Sequence, residues 1–123
     1  MILVDSSVWI DHLRRRNEIL VDLLDREQVL VHPFVIGELA MGSLGQREAV
    51  LQDMLDLKRA IVADDAGVMH FVEANNLFGQ GLGYLDAHLL ASTKLTAETS
   101  LWTRDKRLAA AAKRLSIAAR LTH

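Results

Sequence analysis

Four acidic residues stand where acids are costly. Asp5 follows the apolar run Ile2, Leu3, Val4; Glu38 sits inside "PFVIGELAM"; Asp86 sits inside "LGYLDAHLLA"; Asp105 follows "SLWTR". The remaining acids, such as Asp22, Asp25, Glu27, Glu48, Asp53 and Asp56, lie among polar neighbours at helical spacing and read as solvated faces. A buried carboxylate without a partner is expensive. Two of them about 4 Å apart repel by roughly 4 kcal/mol at an effective dielectric near 20. Four that converge require protonation or a cation. All-oxygen ligands select a hard divalent ion, Mg²⁺ or Mn²⁺, which keeps waters and accepts phosphate oxygens. The chemistry suggested is metal-assisted attack of water on a phosphodiester. Each acid also has a plainer reading: Asp5, Asp86 and Asp105 as helix caps, Glu38 as a helix-flank residue.

Such acids need a scaffold that gathers them. Ile2 to Val4 reads as a short buried strand, followed by a helix carrying Val8, Trp9, Ile10 and Leu13. A helix over Glu18 to Arg26 places Asp22 and Arg26 as an i,i+4 pair. Val29 to Val31 is a second strand, and Pro33 opens a helix through about Met41. Glu48 to Leu57 reads as a helix with Leu51, Met54 and Leu55 on one stripe. Ile61 and Val62 form a short segment before a helix capped by Asp64 or Asp65 and running through about Phe78. A glycine loop (Gly79, Gly81, Gly83) precedes an apolar helix over Leu85 to Leu95. Ser100 to Trp102 is a strand, Asp105 to Leu115 a helix, and Ile117 to Ala119 a weakly supported last strand. Strands alternating with helices predict an α/β fold, a central parallel sheet flanked by helices, in one domain over residues 1–123. In such sheets the residues just past the strand ends share a crevice.

The chain of 123 residues is half apolar and carries 14 basic against 16 acidic residues, a net charge of −2. That balance neither advertises nor excludes a nucleic-acid binder, since acids at a centre and bases at a rim cancel. The absence of cysteine excludes disulfides and thiolate metal sites and suits the cytoplasm. No basic leader and no membrane-length apolar run is visible. The basic clusters are Arg14 to Arg16, Lys58 and Arg59, Arg104 with Lys106 and Arg107, and Lys113 with Arg114; those around Asp105 would rim the pocket. His12, His32, His70, His88 and His123 lack the spacing of a zinc helix site and read as structural or exposed. Trp9 and Trp102 read as core before stacking platforms, and "GQGLG" lacks the strand and lysine of a phosphate loop.

The pieces "VDSSVWIDHLR", "HPFVIGELAMGSLGQR", "GLGYLDAHLLAS" and "LWTRDKRL", in that order, resemble the PIN-domain ribonucleases, and most of all the VapC-type toxins of toxin–antitoxin pairs. The resemblance covers almost the whole chain. It implies a single PIN-like domain and an acidic pocket holding Mg²⁺ or Mn²⁺ on Asp5, Glu38, Asp86 and Asp105. Ser7 (with Ser6 beside it) and Thr103 take supporting roles, orienting ligands or a metal-bound water. It further implies cleavage of RNA, commonly tRNA or another structured RNA, a homodimer, and silencing by a VapB-type antitoxin. Leu51, Met54 and Leu55 are a candidate dimer or antitoxin surface, with core packing the plainer alternative. Three other readings stay open: a housekeeping PIN nuclease for RNA maturation, a phosphoacceptor domain, and a binding module with an inert acidic pocket.

Overall fold

The computed structural model describes residues 1–121; the reading of His123 lies outside the described residues. Strand β1 (Ile2–Val4) is the middle of a three-stranded parallel sheet, with β2 (Val29–Leu30) on one side and β3 (Ser100–Trp102) on the other. Ile2 is paired with Val29 and Ser100, and Val4 with Trp102. All strands point the same way, so their carboxyl ends share one edge. The chain leaves β1 for β2 on one flank and later returns to β3 on the opposite flank. The strand order therefore reverses about β1, and open α/β sheets bind ligands at such a switch point.

Helices α1 (Ser6–Arg14) and α2 (Glu18–Asp25) make the first crossover, and α3 (Pro33–Ala40), α4 (Arg47–Leu55), α5 (Asp65–Ala74) and α6 (Tyr84–Leu95) the second; α7 (Lys106–Arg114) follows β3. The expected pair of Asp22 and Arg26 forms at 2.9 Å on the exposed face of α2. Pro33 opens α3, and the His32 ring caps it by accepting the Phe34 N–H at Nδ1 (3.0 Å). Helix α6 buries a continuous run from Ala87 to Thr93 and packs against α5 and β3. Leu3, Leu20, Leu30, Leu39, Leu89, Leu90, Leu101 and Leu108 are all buried in one core. Each contributes roughly 1.5–3 kcal/mol on leaving water. No helix among the described residues is long and apolar enough to cross a membrane.

Four expectations need correction. The strand over Ile117 to Ala119 is only one bridge, Leu101 to Ala118, because the alanines offer no branched side chains to extend it. Val31 lies past the end of β2 and bridges Arg59, leaving Ile61 and Val62 exposed rather than in a segment of their own. Helix α5 stops at Ala74, four residues short of Phe78: Asn76 takes a left-handed φ of 52° and turns Leu77 back into the core. The α4 stripe divides, since Met54 is buried while Leu55 is 49% exposed.

Candidate active site

Asp5 lies one residue beyond β1 and occupies the N-cap position of α1, yet its carboxylate accepts from none of that helix's backbone N–H groups. It is turned toward β3. Ser7 Oγ donates to Asp5 Oδ2 at 2.7 Å, and Thr103 Oγ1 donates to the same oxygen at 2.7 Å. Each hydroxyl is itself oriented by a backbone donor: Arg104 N–H to Ser7 Oγ and Asp105 N–H to Thr103 Oγ1, both 3.0 Å. A hydroxyl has one proton, so both protons point at Asp5 and none serves the 3.3 Å contact between Ser7 and Thr103. Hydrogen bonds to an ionised acceptor are the strong kind. The result locks the end of β1 to the end of β3 and fixes one carboxylate oxygen.

The other three acids surround this point from different elements. Ser6 Oγ stands between Asp5 Oδ1 (3.5 Å) and Glu38 Oε1 (3.3 Å). Glu38 is on α3 with its carboxyl raised above the usual range, first by partial burial and then by the negative charge of Asp5, against which the Ser6 hydrogen bond works, with Asp86 adding to the rise. Asp86 is in the first turn of α6, where its Oδ2 accepts the Gly83 N–H at 2.9 Å. Its carboxyl is also raised, by burial first, opposed by that Gly83 bond, then by Asp105 and Asp5. Asp105 is exposed and caps α7, Oδ1 accepting the Leu108 N–H at 2.9 Å. The capping readings of Asp86 and Asp105 are thus correct as far as they go, but each cap engages a single oxygen. Asp5 is not a side-chain cap.

The four carboxylates therefore share one electrostatic neighbourhood. Among the described residues none of them forms an ion pair with Lys, Arg or His; Arg104 instead pairs with Asp11 at 2.9 Å. Also among the described residues, no three His, Asp or Glu side chains stand close enough to enclose an ion by themselves. An open set of like charges with oxygens to spare fits an ion that dehydrates reluctantly and keeps several waters, as Mg²⁺ does. Among the described residues Glu38 Oε2, Asp86 Oδ1 and Asp105 Oδ2 accept no hydrogen bond, and Asp5 Oδ1 has only the long 3.5 Å contact with Ser6.

Trp9 is buried and Trp102 partly so, in the core as expected. His12 accepts the Asn17 N–H, His32 caps α3, His70 is exposed and His88 is 2% exposed. Arg107 leans over the glycine loop, where a Cβ on Gly81 (φ +78°) would meet its Nη1 at 2.7 Å. Sequence reasoning missed the Ser6 link between Asp5 and Glu38. The signal was the doubled serine directly after the first acid. It also missed the aromatic ring cluster around His88, for which "HPF" and "GYLDAH" hold the components without a visible spacing rule.

Residues 2–114 match the PIN domain, and the chain belongs to that family. Over 118 residues it is 47% identical to Ribonuclease VapC32 of Mycobacterium tuberculosis, in both strain CDC 1551 / Oshkosh and strain ATCC 25618 / H37Rv. The alignment takes in 96% of this chain and 95% of that relative. The likeness to VapC-type proteins drawn from four short motifs thus extends over nearly the whole sequence. No solved structure gives a significant match.

Proposed function

We propose that this chain is a Mg²⁺- or Mn²⁺-dependent endoribonuclease, the toxin of a VapBC-type toxin–antitoxin pair. The observation that carries the reading is the Asp5 carboxylate, held by Ser7 and Thr103 at the sheet's switch point within the field of three further acids. Near-complete alignment with a VapC ribonuclease supports it and sets aside the housekeeping alternative. It also disfavours a phosphoacceptor or inert module.

Asp5, Glu38, Asp86 and Asp105 would hold the ion. When bound, the ion lowers the pKa of a water and offsets charge on the phosphodiester. The chain's own residues do the rest. Ser7 and Thr103 keep Asp5 Oδ2 occupied, so that Oδ1 is the oxygen presented to the pocket. Arg104, Lys106 and Arg107 flank Asp105 and take RNA phosphates. The reaction adds one water across one phosphodiester bond of tRNA or another structured RNA. Two copies form a homodimer in the cytoplasm, and a VapB-type antitoxin silences the site by carrying positive charge into the acidic pocket.

Purified protein should cut total RNA into discrete fragments with Mg²⁺ or Mn²⁺, and not with a chelator. The Asp5→Asn variant, folded by circular dichroism, should cut nothing. Cleavage that persists in either control would overturn the metal-dependent reading.

A further inference from the structure

Two exposed aromatic rings stand on the helices that carry Glu38 and Asp86 and bond to neither acid. Phe34 shares the outward face of α3 with Glu38, one helical turn away, while Val35, Ile36 and Leu39 point to the core. Tyr84 is the first residue of α6, next to the Gly83 N–H that Asp86 reaches back to bond. Both rings abut the same imidazole edge-on. Phe34 lies 4.7 Å from the His88 ring at 63°, and Tyr84 lies 4.7 Å from it at 89°. His88 is buried and joins the two exposed rings from beneath. Tyr84 is further fixed by its hydroxyl, which donates to Asp65 Oδ1 at 3.2 Å. Even so, Phe34 remains 37% and Tyr84 48% exposed.

We propose that Phe34 and Tyr84 form a stacking shelf for an unpaired nucleobase of the RNA next to the bond that is cut. The inference rests on the ribonuclease reading and deepens it. The pocket's two flanks are chemically different. Arg104, Lys106 and Arg107, which suit phosphates, are neighbours of Asp105 in the chain; Phe34 shares α3 with Glu38, and Tyr84 shares the first turn of α6 with Asp86. Away from the ion, phosphate oxygens on the second flank would meet no basic neighbour of Glu38 or Asp86 in the chain, whereas a base has no charge and an aromatic face. RNA that is read in its single-stranded parts has its bases splayed out and stacked on side chains of this kind. Rings already held against His88 and Asp65 lose little freedom when a base settles on them.

The first experimental arm uses the Asp5→Asn protein, which holds RNA uncut. Irradiated with short-wave ultraviolet light in the presence of total cellular RNA, it should carry nucleotide adducts on the peptides containing Phe34 and Tyr84. The second arm measures binding of the same RNA. Phe34→Leu and Tyr84→Leu, made in the Asp5→Asn background, should each weaken it about tenfold. Phe34→Trp should restore it, which a packing role on His88 would not allow. Adducts elsewhere together with unchanged binding overturn the shelf. So do leucine variants that keep RNA but lose an inhibiting protein partner, since the rings then serve that partner. Where a leucine variant fails to fold, the adduct map decides alone. Should the parent chain neither bind nor cut RNA, the ribonuclease reading falls first and the shelf with it.

Discussion

Of the four acids Asp5 alone is buried, and both short hydrogen bonds to it end on one oxygen. That asymmetry makes the two hydroxyls separately testable. Ser7→Ala or Thr103→Val removes one donor and lets the carboxylate turn. Each should lower kcat for RNA cleavage by roughly 10–100-fold, the usual cost of losing a ligand's outer partner. Cleavage within a factor of two of the parent for both would show that the orientation of Asp5 does not matter. The raised carboxyls carry a second prediction. Glu38 and Asp86 have folded pKa values above their ordinary ones, so the fold gains from their protonation as pH falls and is strained by their charge at neutrality. A divalent ion relieves the same strain. Mg²⁺ at about ten times its Kd should stabilise the fold by roughly 1.4 kcal/mol, or about 5 °C in melting temperature. The shift should vanish in a Glu38→Gln, Asp86→Asn double variant; an equal shift there would place the ion elsewhere.

At the scale of elements, His32 is an uncommon cap and a costly one. Burial first, then His88 and Arg59, bring its pKa down to about 4, so in the fold it is neutral. The unfolded chain takes up its proton near the ordinary value of 6.5. His32 therefore contributes stability that is complete above pH 6.5 and is lost as pH falls toward about 4. The loss reaches about 3 kcal/mol at most. It runs opposite to the gain from Glu38 and Asp86. Urea unfolding at pH 7 and pH 5 should separate the two: His32→Asn, which keeps a capping oxygen, should abolish the component that weakens in acid. If the parent and this variant lose stability equally on acidification, some other group is responsible.

The elements also show where the chain could be read in advance. Strands β1 and β3, the start of α3 and the Asp22–Arg26 pair follow from local pattern alone, because apolar runs, one proline and an i,i+4 spacing are local facts. The end of α5 and the split of the α4 stripe were not legible, since they depend on Asn76 adopting a left-handed turn and on Met54 finding space in the core. The site divides the same way. Its acids stand out as charges among apolar neighbours. The link from Thr103 to Asp5 spans 98 residues, and no local rule announces that the two hydroxyls choose a single oxygen.

On the scale of the whole molecule, the proposed homodimer needs an apolar face. A groove between α5 and α6 has a volume of about 500 Å³ and a lining that includes Val62, Ala63, Phe71 and Leu95. Ile61, Val62 and Leu95 around it are about half exposed. Pairing there would cover apolar surface that the monomer leaves in water. Sedimentation of the parent should give the mass of a dimer, and of Leu95→Glu that of a folded monomer. A dimeric Leu95→Glu protein would put the contact on another face.

The bond between Asp5 and Thr103 also has a consequence in time. A ribosome making about 5–20 residues per second needs roughly 5–20 s to travel the 98 residues between them. Throughout that interval the first carboxylate exists without the hydroxyl, and the middle strand without its second neighbour. Until Thr103 has been made, the Asp5 carboxylate lacks one of the two donors that fix its orientation, so the site is assembled late in synthesis.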